Sequence, residues 1–330
     1  MKPIKILHCA NFSELKNAET FYSIDRKLSN GLTRNGHFVY NFSYRDIAKS
    51  ERKFFIKSIG KGAMQKRLIT TLDNLQPDLL LLGHTELISE NLLATIKLKH
   101  PNLKIAMWWV DWIHNLKHQA SKIHYVDHFF ITTDPIELKS LGIDDDTLKK
   151  CHYLPNLCDS SIDSFKAFEN GKYSYDLLFI GRYDAERAPL LNHIQDKYSN
   201  YKLGIFGQNR ESLVFGADFY RVLSNSKIAL NYSRSNTLNK YSSDRLIQPV
   251  ANGVLTLSAY FPGLETLFQT NEVPSFSNFD ELDDLLERYL KDDEARRGVA
   301  RAGHMRAHKD YETLSVSRAM LEIIYQEKLS

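Results

Sequence analysis

The segment FIGRYDAERAPLL, residues 179–191, runs from an apolar strand through a glycine turn at Gly181 to Arg182 and Arg187, ahead of a helix. Guanidinium forks beside a helix start, whose backbone N–H groups face outward, suit a diphosphate. The plainer reading is a pair of solvated arginines flanking a loop. SSDRLIQPVANGVLTLSAYFPGLETLF, residues 242–268, is the richest stretch in the chain. Ser242 or Ser243 can cap a helix that starts near Asp244, Pro249 perturbs it, and Asn252-Gly253 ends it before a buried strand. Such a helix start can receive a phosphorylated or ribose-bearing ligand; the alternative is a βα unit with ordinary caps. In the first half, His84 and Asp111 each close a buried strand. Their plain readings are a histidine satisfied by backbone and an aspartate that caps a helix.

Other signals carry less. His114 and His118, and His124 and His128, are four apart but lack the Glu of H-E-x-x-H. Cys151 and Cys158 do not have zinc-ligand spacing. Asp144-Asp145-Asp146 follows Leu141-Gly142 and reads as a solvated turn. With no G-x-G-x-x-G and no G-x-x-x-x-G-K-[ST], a dinucleotide dehydrogenase or P-loop enzyme is disfavoured. The basic run from Arg45 to Arg67, with Phe54, Phe55, Ile56 and Ile59 interspersed, is patterned either as an interfacial helix touching an anionic membrane or acceptor, or as an ordinary surface helix.

These residues need elements to position them. Short apolar runs alternate with longer segments of helical period, the pattern of βα units and parallel sheets. Strands are expected at Ile4 to Cys9, Phe38 to Phe42, Asp78 to Gly83, Lys104 to Val110, His128 to Thr132 and His152 to Leu154. Helices are expected near Glu19 to Asn35, Arg52 to Leu75, Ile88 to Lys99, Asn115 to Ile123 and Pro135 to Leu141. Residues 158–174, CDSSIDSFKAFENGKYS, are polar and unpatterned and read as a linker. A second series follows, with strands at Tyr175 to Gly181, Lys202 to Gly207, Ile228 to Tyr232, Val254 to Leu257 and Val273 to Phe276. Its helices fall near Arg187 to Tyr198, Asp218 to Ser224, Asp244 to Ala251, Asp280 to Leu290, Glu294 to His308 and Glu312 to Gln326. The expectation is an α/β protein of two Rossmann-like doubly wound domains, 1–157 and 175–330, facing a cleft. Ligands then bind outside the carboxyl ends of the strands, which singles out the Asn11 to Lys16 loop, Gly83-His84-Thr85, Asp111, Gly181-Arg182, Gly207-Gln208 and Asn231 to Ser235.

The 330 residues are enough for two cores. With 43 Lys plus Arg against 40 Asp plus Glu, the net charge of +3 creates no broad field, so nucleic acid is not an expected partner. Three cysteines fit a reducing compartment. The opening MKPIKILHCANFSELKN lacks a signal-peptide core and no apolar stretch approaches the ~20 residues of a membrane span, so a cytoplasmic location is expected.

The order R-L-I-Q-P-V-A-N-G-V-L-T-L, then PGLETLF, then FDELDDLLERYLKDDEARRGVARAGHMRAHKDYETLSVSR resembles the carboxyl-terminal domain of CgeB-like glycosyltransferases, within the two-Rossmann-domain GT-B group. The likeness covers about residues 175–326, and PDLLLLGH and WWVD make the first half compatible. It implies transfer of a sugar from a nucleotide-sugar donor to a hydroxyl of a glycan or lipid-linked acceptor, in surface polysaccharide or glycoconjugate synthesis, with no metal and no cofactor beyond the donor. It implies that the donor meets Arg182, Arg187, Arg245 and Gln248, the two strand-end arginines taking the diphosphate; Gly181, Gly207 and Asn231, from their places after strands, and Ser243 and Asp244, as the nearest polar substitutes, complete the candidate donor site. Gln248 stands where the family usually has a ribose-binding Glu, and Lys240 where retaining enzymes have another, so retention of configuration is not implied. An inverting transferase needs a base for the acceptor hydroxyl, for which Asp111 and His84 are the candidates. A nucleotide-sugar epimerase of the same shape, or a two-lobed binding or assembly protein, remains an alternative.

Overall fold

Leu79–Leu82 explains why strands form where they do: four successive leucines, all fully buried, can sit only in a central strand covered on both faces. In the computed structural model, which describes residues 2–52, 56–209 and 212–326, the chain forms two compact units. The chain up to Pro155, with the stretch from Thr313 on, makes one; Asn156–Glu312 makes the other.

In chain order the first unit contains β1 (Lys5–Ala10), α1 (Ile24–Arg34), β2 (Phe38–Ser43), α2 (Tyr44–Ser50), α3 (Lys57–Leu75), β3 (Leu79–Leu82), α4 (Glu90–Lys99), β4 (Lys104–Trp109), α5 (Ile113–Leu116), β5 (His128–Ile131), α6 (Asp145–Leu148) and β6 (Cys151–Tyr153). All six strands are parallel, in the order β2-β1-β3-β4-β5-β6. On α1, Ile24, Leu28 and Leu32 recur at helical spacing and are buried. The helix expected over Asn115 to Ile123 is instead the short α5 and a 3-10 turn at Ala120–Tyr125, and Asp144 caps α6 by accepting from the Thr147 amide at 2.8 Å. Of the basic run, Lys53, Phe54 and Phe55 lie outside the described residues. The remainder is α2 and the start of α3, two separate helices where one was expected.

The second unit contains β7 (Tyr175–Ile180), α7 (Ala188–Lys197), β8 (Leu203–Phe206), α8 (Gly216–Ser224), β9 (Ser226–Asn231), α9 (Asp244–Ala251), β10 (Leu255–Ala259), α10 (Leu264–Leu267), β11 (Ser275–Phe276), α11 (Phe279–Lys291) and α12 (Asp293–Asp310). The parallel order is β11-β10-β9-β7-β8. Its core joins Leu177, Phe179, Ile228, Leu230 and Leu257 of the sheet to helix residues such as Leu190, Ile194 and Leu286. Each such side chain contributes about 1.5–3 kcal/mol when fully buried.

Two expectations need correction. Residues 158–174 are not a linker but part of the second unit. Asp163 is fully buried, accepting hydrogen bonds from the Asp159 amide (2.9 Å), the Tyr220 hydroxyl (2.9 Å) and Asn252 Nδ2 (3.2 Å), and Phe168 is buried beside it in sequence. The final helix, α13 (Thr313–Tyr325), packs on the first unit rather than the second. Thr313 Oγ1 donates to Lys27 O at 2.6 Å, and Asn35 Nδ2 donates to Leu314 O at 2.9 Å. The approach is close enough that a Cβ on Gly31 would lie 2.3 Å from Thr313 Oγ1, so only glycine fits there.

Candidate functional site

In each unit the order of the first strands, with the first lying between the second and third, makes a topological switch point where successive connections diverge to opposite faces. In the second unit the switch falls between β7 and β9, and arginines gather at the carboxyl ends of those strands. Arg245, from the first turn of α9, donates through Nε to Ile180 O at 3.0 Å and through Nη1 to Tyr232 O at 3.3 Å, with its guanidinium over the Phe179 ring. Gly181 makes room for it, since a Cβ there would come within 2.9 Å of Arg245 Nη2. Gly207, at the end of β8, has φ +96°, and its Cβ would fall 2.5 Å from Gly181 O, so conformation and space both demand glycine. Burial, and secondarily the Arg187 cation, push the Arg245 pKa down to about 10, which leaves it charged at neutral pH.

The structure separates the two arginines that the sequence leaves equivalent. Arg187 is 6 % exposed, and its guanidinium donates to Tyr232 O (3.2 Å), Arg182 O (2.9 Å) and Asp184 Oδ2 (3.0 Å). Burial lowers its pKa, opposed by Asp184. These hydrogen bonds, made by Nε and Nη1, make it a strut of the loop that follows β7. Arg182 is exposed, and its side chain has no partner among the described residues. Sequence reasoning missed Asp184 and Arg234. Asp184 sits between the two cations, accepting from Arg234 Nε at 2.7 Å as well as from Arg187. Arg234 falls in the Asn231 to Ser235 loop already singled out by its position after a strand, which was the available signal.

Beside this cluster two buried polar atoms are unspent, one on Asn231 and one on Ser243. Asn231, 2 % exposed, donates from Nδ2 to Ser258 Oγ at 2.9 Å, while its Oδ1 is buried without a partner. Ser243 precedes α9 without capping it, and its Oγ is also unpartnered. Asp244 is exposed in the first turn. Gln248, Arg245 and Asp244 face a cavity of about 190 Å³ otherwise lined by apolar residues such as Ile180, Phe219 and Leu223. Lys240 adopts a left-handed backbone, φ +56°, with its amide donating to Pro262 O.

In the first unit, His84 stacks on Trp109 with ring centroids 4.1 Å apart, and its Nε2 accepts from the Val110 amide at 3.2 Å. Burial lowers its pKa against the opposing effect of Asp111. Its Nε2 is thus taken up by a backbone amide, the arrangement of the plain reading. Asp111 is exposed. One oxygen accepts from the Trp112 amide and the other from Asn115 Nδ2, each at 2.7 Å, so it caps the α5 turn while keeping further lone pairs toward solvent. A buried lysine went unnoticed in sequence: Lys122, 5 % exposed, donates to Thr85 O and Gln119 Oε1, both at 2.9 Å. Among the described residues no group of three or more His, Cys, Asp and Glu side chains is arranged to hold a metal, and no helix is long and apolar enough to cross a membrane.

The two-sheet fold is that of GT-B glycosyltransferases. The chain is similar to a glycosyltransferase from Rickettsia africae (TM-score 0.57, 12 % identity, 99 % of each chain). It is similar to Anabaena HepE, solved with UDP and glucose (0.63, 10 %, 98 % of this chain and 100 % of that one). A third likeness is to the sucrose-phosphate synthase of Thermosynechococcus elongatus (0.62, 10 %, 98 % of each). Residues 181–322, which span the arginine cluster, match the glycosyl transferase-like family model. No curated protein matches the chain in sequence.

Proposed function

We propose that the protein is a glycosyltransferase that moves a sugar from a nucleotide-sugar donor, held by the second unit, to a hydroxyl of an acceptor held by the first. The observation that carries this is the convergence of Arg187, Arg234 and Arg245 at the β7/β9 switch point, with Arg182 unpartnered beside them, inside the segment that matches the family model. A fixed cationic field there stabilises the charge that builds on the leaving diphosphate. Arg182 makes the direct contact, and Arg187 holds the loop that presents it. These cations supply the neutralisation that a metal ion otherwise gives. Asn231, Ser243 and Gln248 take the hydroxyl and ribose contacts, Gln248 as an amide without charge-assisted strength. Asp111 is the better candidate base, because His84 Nε2 is taken up by the Val110 amide. The CgeB-like subtype, and a role in surface polysaccharide or glycoconjugate synthesis, rest on the R-L-I-Q-P-V-A-N-G stretch.

The test is a thermal-shift series with UDP, GDP, ADP, TDP and CMP. UDP comes first because HepE was solved with it. A nucleotide at ~100 times its Kd stabilises the native state by about 2.7 kcal/mol. No shift with any nucleotide overturns the donor reading, and an altered sugar nucleotide released without acceptor replaces transfer by epimerisation.

A further inference from the structure

The switch point of the first unit, between β1 and β3, carries a groove of a different character. It has a volume of about 520 Å³, within the range of small-ligand sites, and Asn11, Ser13, Lys16, Arg45, Lys49 and Arg52 line it. Its walls are fixed by bonds between elements. The Phe12 amide donates to Ser43 Oγ at 3.2 Å, the Glu14 amide to Asp46 Oδ2 at 2.7 Å, and Arg26 to Phe12 O at 2.8 Å. The loop after β1 holds non-glycine residues at positive φ, Ser13 at 50° and Ala18 at 66°, a strained course that persists only where its surroundings enforce it.

The charges in this groove do not cancel. Glu86 is occupied by the Tyr44 hydroxyl and by Arg45, and Asp46 by Ser43 Oγ and the Glu14 amide. Those interactions keep the Glu86 carboxyl below the usual range against the opposing effect of partial desolvation. Lys49 and Arg52 are exposed, and neither has a side-chain partner among the described residues. Two uncompensated cations, one with a planar fork, therefore stand at the place where this topology receives ligands.

We propose that this groove binds the phosphate of a phosphate-bearing acceptor, with Lys49 and Arg52 as its direct contacts and Arg45, pinned by Glu86, as the fixed wall. The word acceptor rests on the transferase reading; the binding of phosphate does not. The phosphate can belong to a soluble sugar phosphate or to a lipid headgroup.

The probe is inorganic pyrophosphate, titrated calorimetrically into the full chain carrying Arg182→Ala, which silences the proposed donor contact. Binding is expected there, and is expected to weaken about tenfold or more when Lys49→Ala and Arg52→Ala are added, while the UDP-induced shift of a Lys49→Ala/Arg52→Ala chain stays that of the wild type. Both side chains are exposed, so folding is not at stake. In a second arm the chain is sedimented with phosphatidylcholine vesicles with and without phosphatidic acid. Retention that needs both phosphatidic acid and these two cations assigns the phosphate to a lipid, and pyrophosphate binding without retention assigns it to a soluble ligand. Equal pyrophosphate binding with and without the two cations, or no binding in either arm, overturns the proposal whether or not UDP binds.

Discussion

Arg182 and Arg187 lie five residues apart in one loop, yet their substitutions should have opposite consequences. Arg187→Met removes a 6 % exposed guanidinium that makes three hydrogen bonds, one of them to a carboxylate. The groups left behind are only partly stranded: Asp184 keeps Arg234 at 2.7 Å, and Tyr232 O keeps Arg245 at 3.3 Å. The loss should therefore fall at the lower end of that for breaking a buried pair, about 2–3 kcal/mol. Arg182→Ala removes an exposed side chain and should leave stability within about 0.5 kcal/mol. It deletes one charge-assisted contact to a phosphate, worth ~1.5–3 kcal/mol, and so should raise the Kd for UDP about tenfold or more. Urea unfolding of the two full-length variants gives the first quantity and isothermal calorimetry with UDP the second. An Arg187→Met chain as stable as Arg182→Ala, or an Arg182→Ala chain that binds UDP like the wild type, would refute the division of roles.

Gly207→Ala should cost about 3 kcal/mol and weaken UDP binding, because φ +96° and a Cβ 2.5 Å from Gly181 O force both strand-end loops to move. Gly62→Ala, in α3 with nothing within 4 Å of its Cβ, is the control and should be neutral or stabilising by about 0.5–1 kcal/mol; equal melting temperatures for the two variants would contradict the steric argument. Burial lowers the Lys122 pKa from 10.5 to about 8, against the favourable pull of Glu86. The unfolded chain then holds this proton up to pH 10.5 and the folded chain only to about 8, so stability is lowest below pH 8 and rises across that window, by up to about 3 kcal/mol from this group. Lys122→Met should lose that rise, and urea-unfolding profiles that stay parallel from pH 8 to pH 10.5 would contradict it.

The strands were legible because burial on both faces leaves an unbroken apolar run, as in Leu79–Leu82, and the end of α9 at Asn252-Gly253 was legible because end chemistry is local, although the cap expected of Ser243 is not made. Polar residues that satisfy one another were not. Asp163, Tyr220 and Asn252 are far apart in sequence, and nothing in CDSSIDSFKAFENGKYS distinguishes a buried hydrogen-bond network from a solvated linker. The same limit applied at the site. Its position after β7 and β9 follows from topology, but which of two arginines is spent depends on Tyr232 O and Asp184, and whether His84 can accept a proton depends on the Val110 amide. The partner of α13 was also hidden, since its pattern shows an apolar face without saying what covers it.

That helix sets an order of events during synthesis. Chains generally fold from the amino terminus as they emerge. Here α1 must wait for Thr313 to reach Lys27 and Gly31, so the first unit stays open along one flank while Asn156–Glu312, continuous in sequence, is made and folds. The closure entropy of so long a loop grows only slowly with its length, and a folded second unit shortens the effective loop further. The first unit, though its strands are made before those of the second, is thus completed after it.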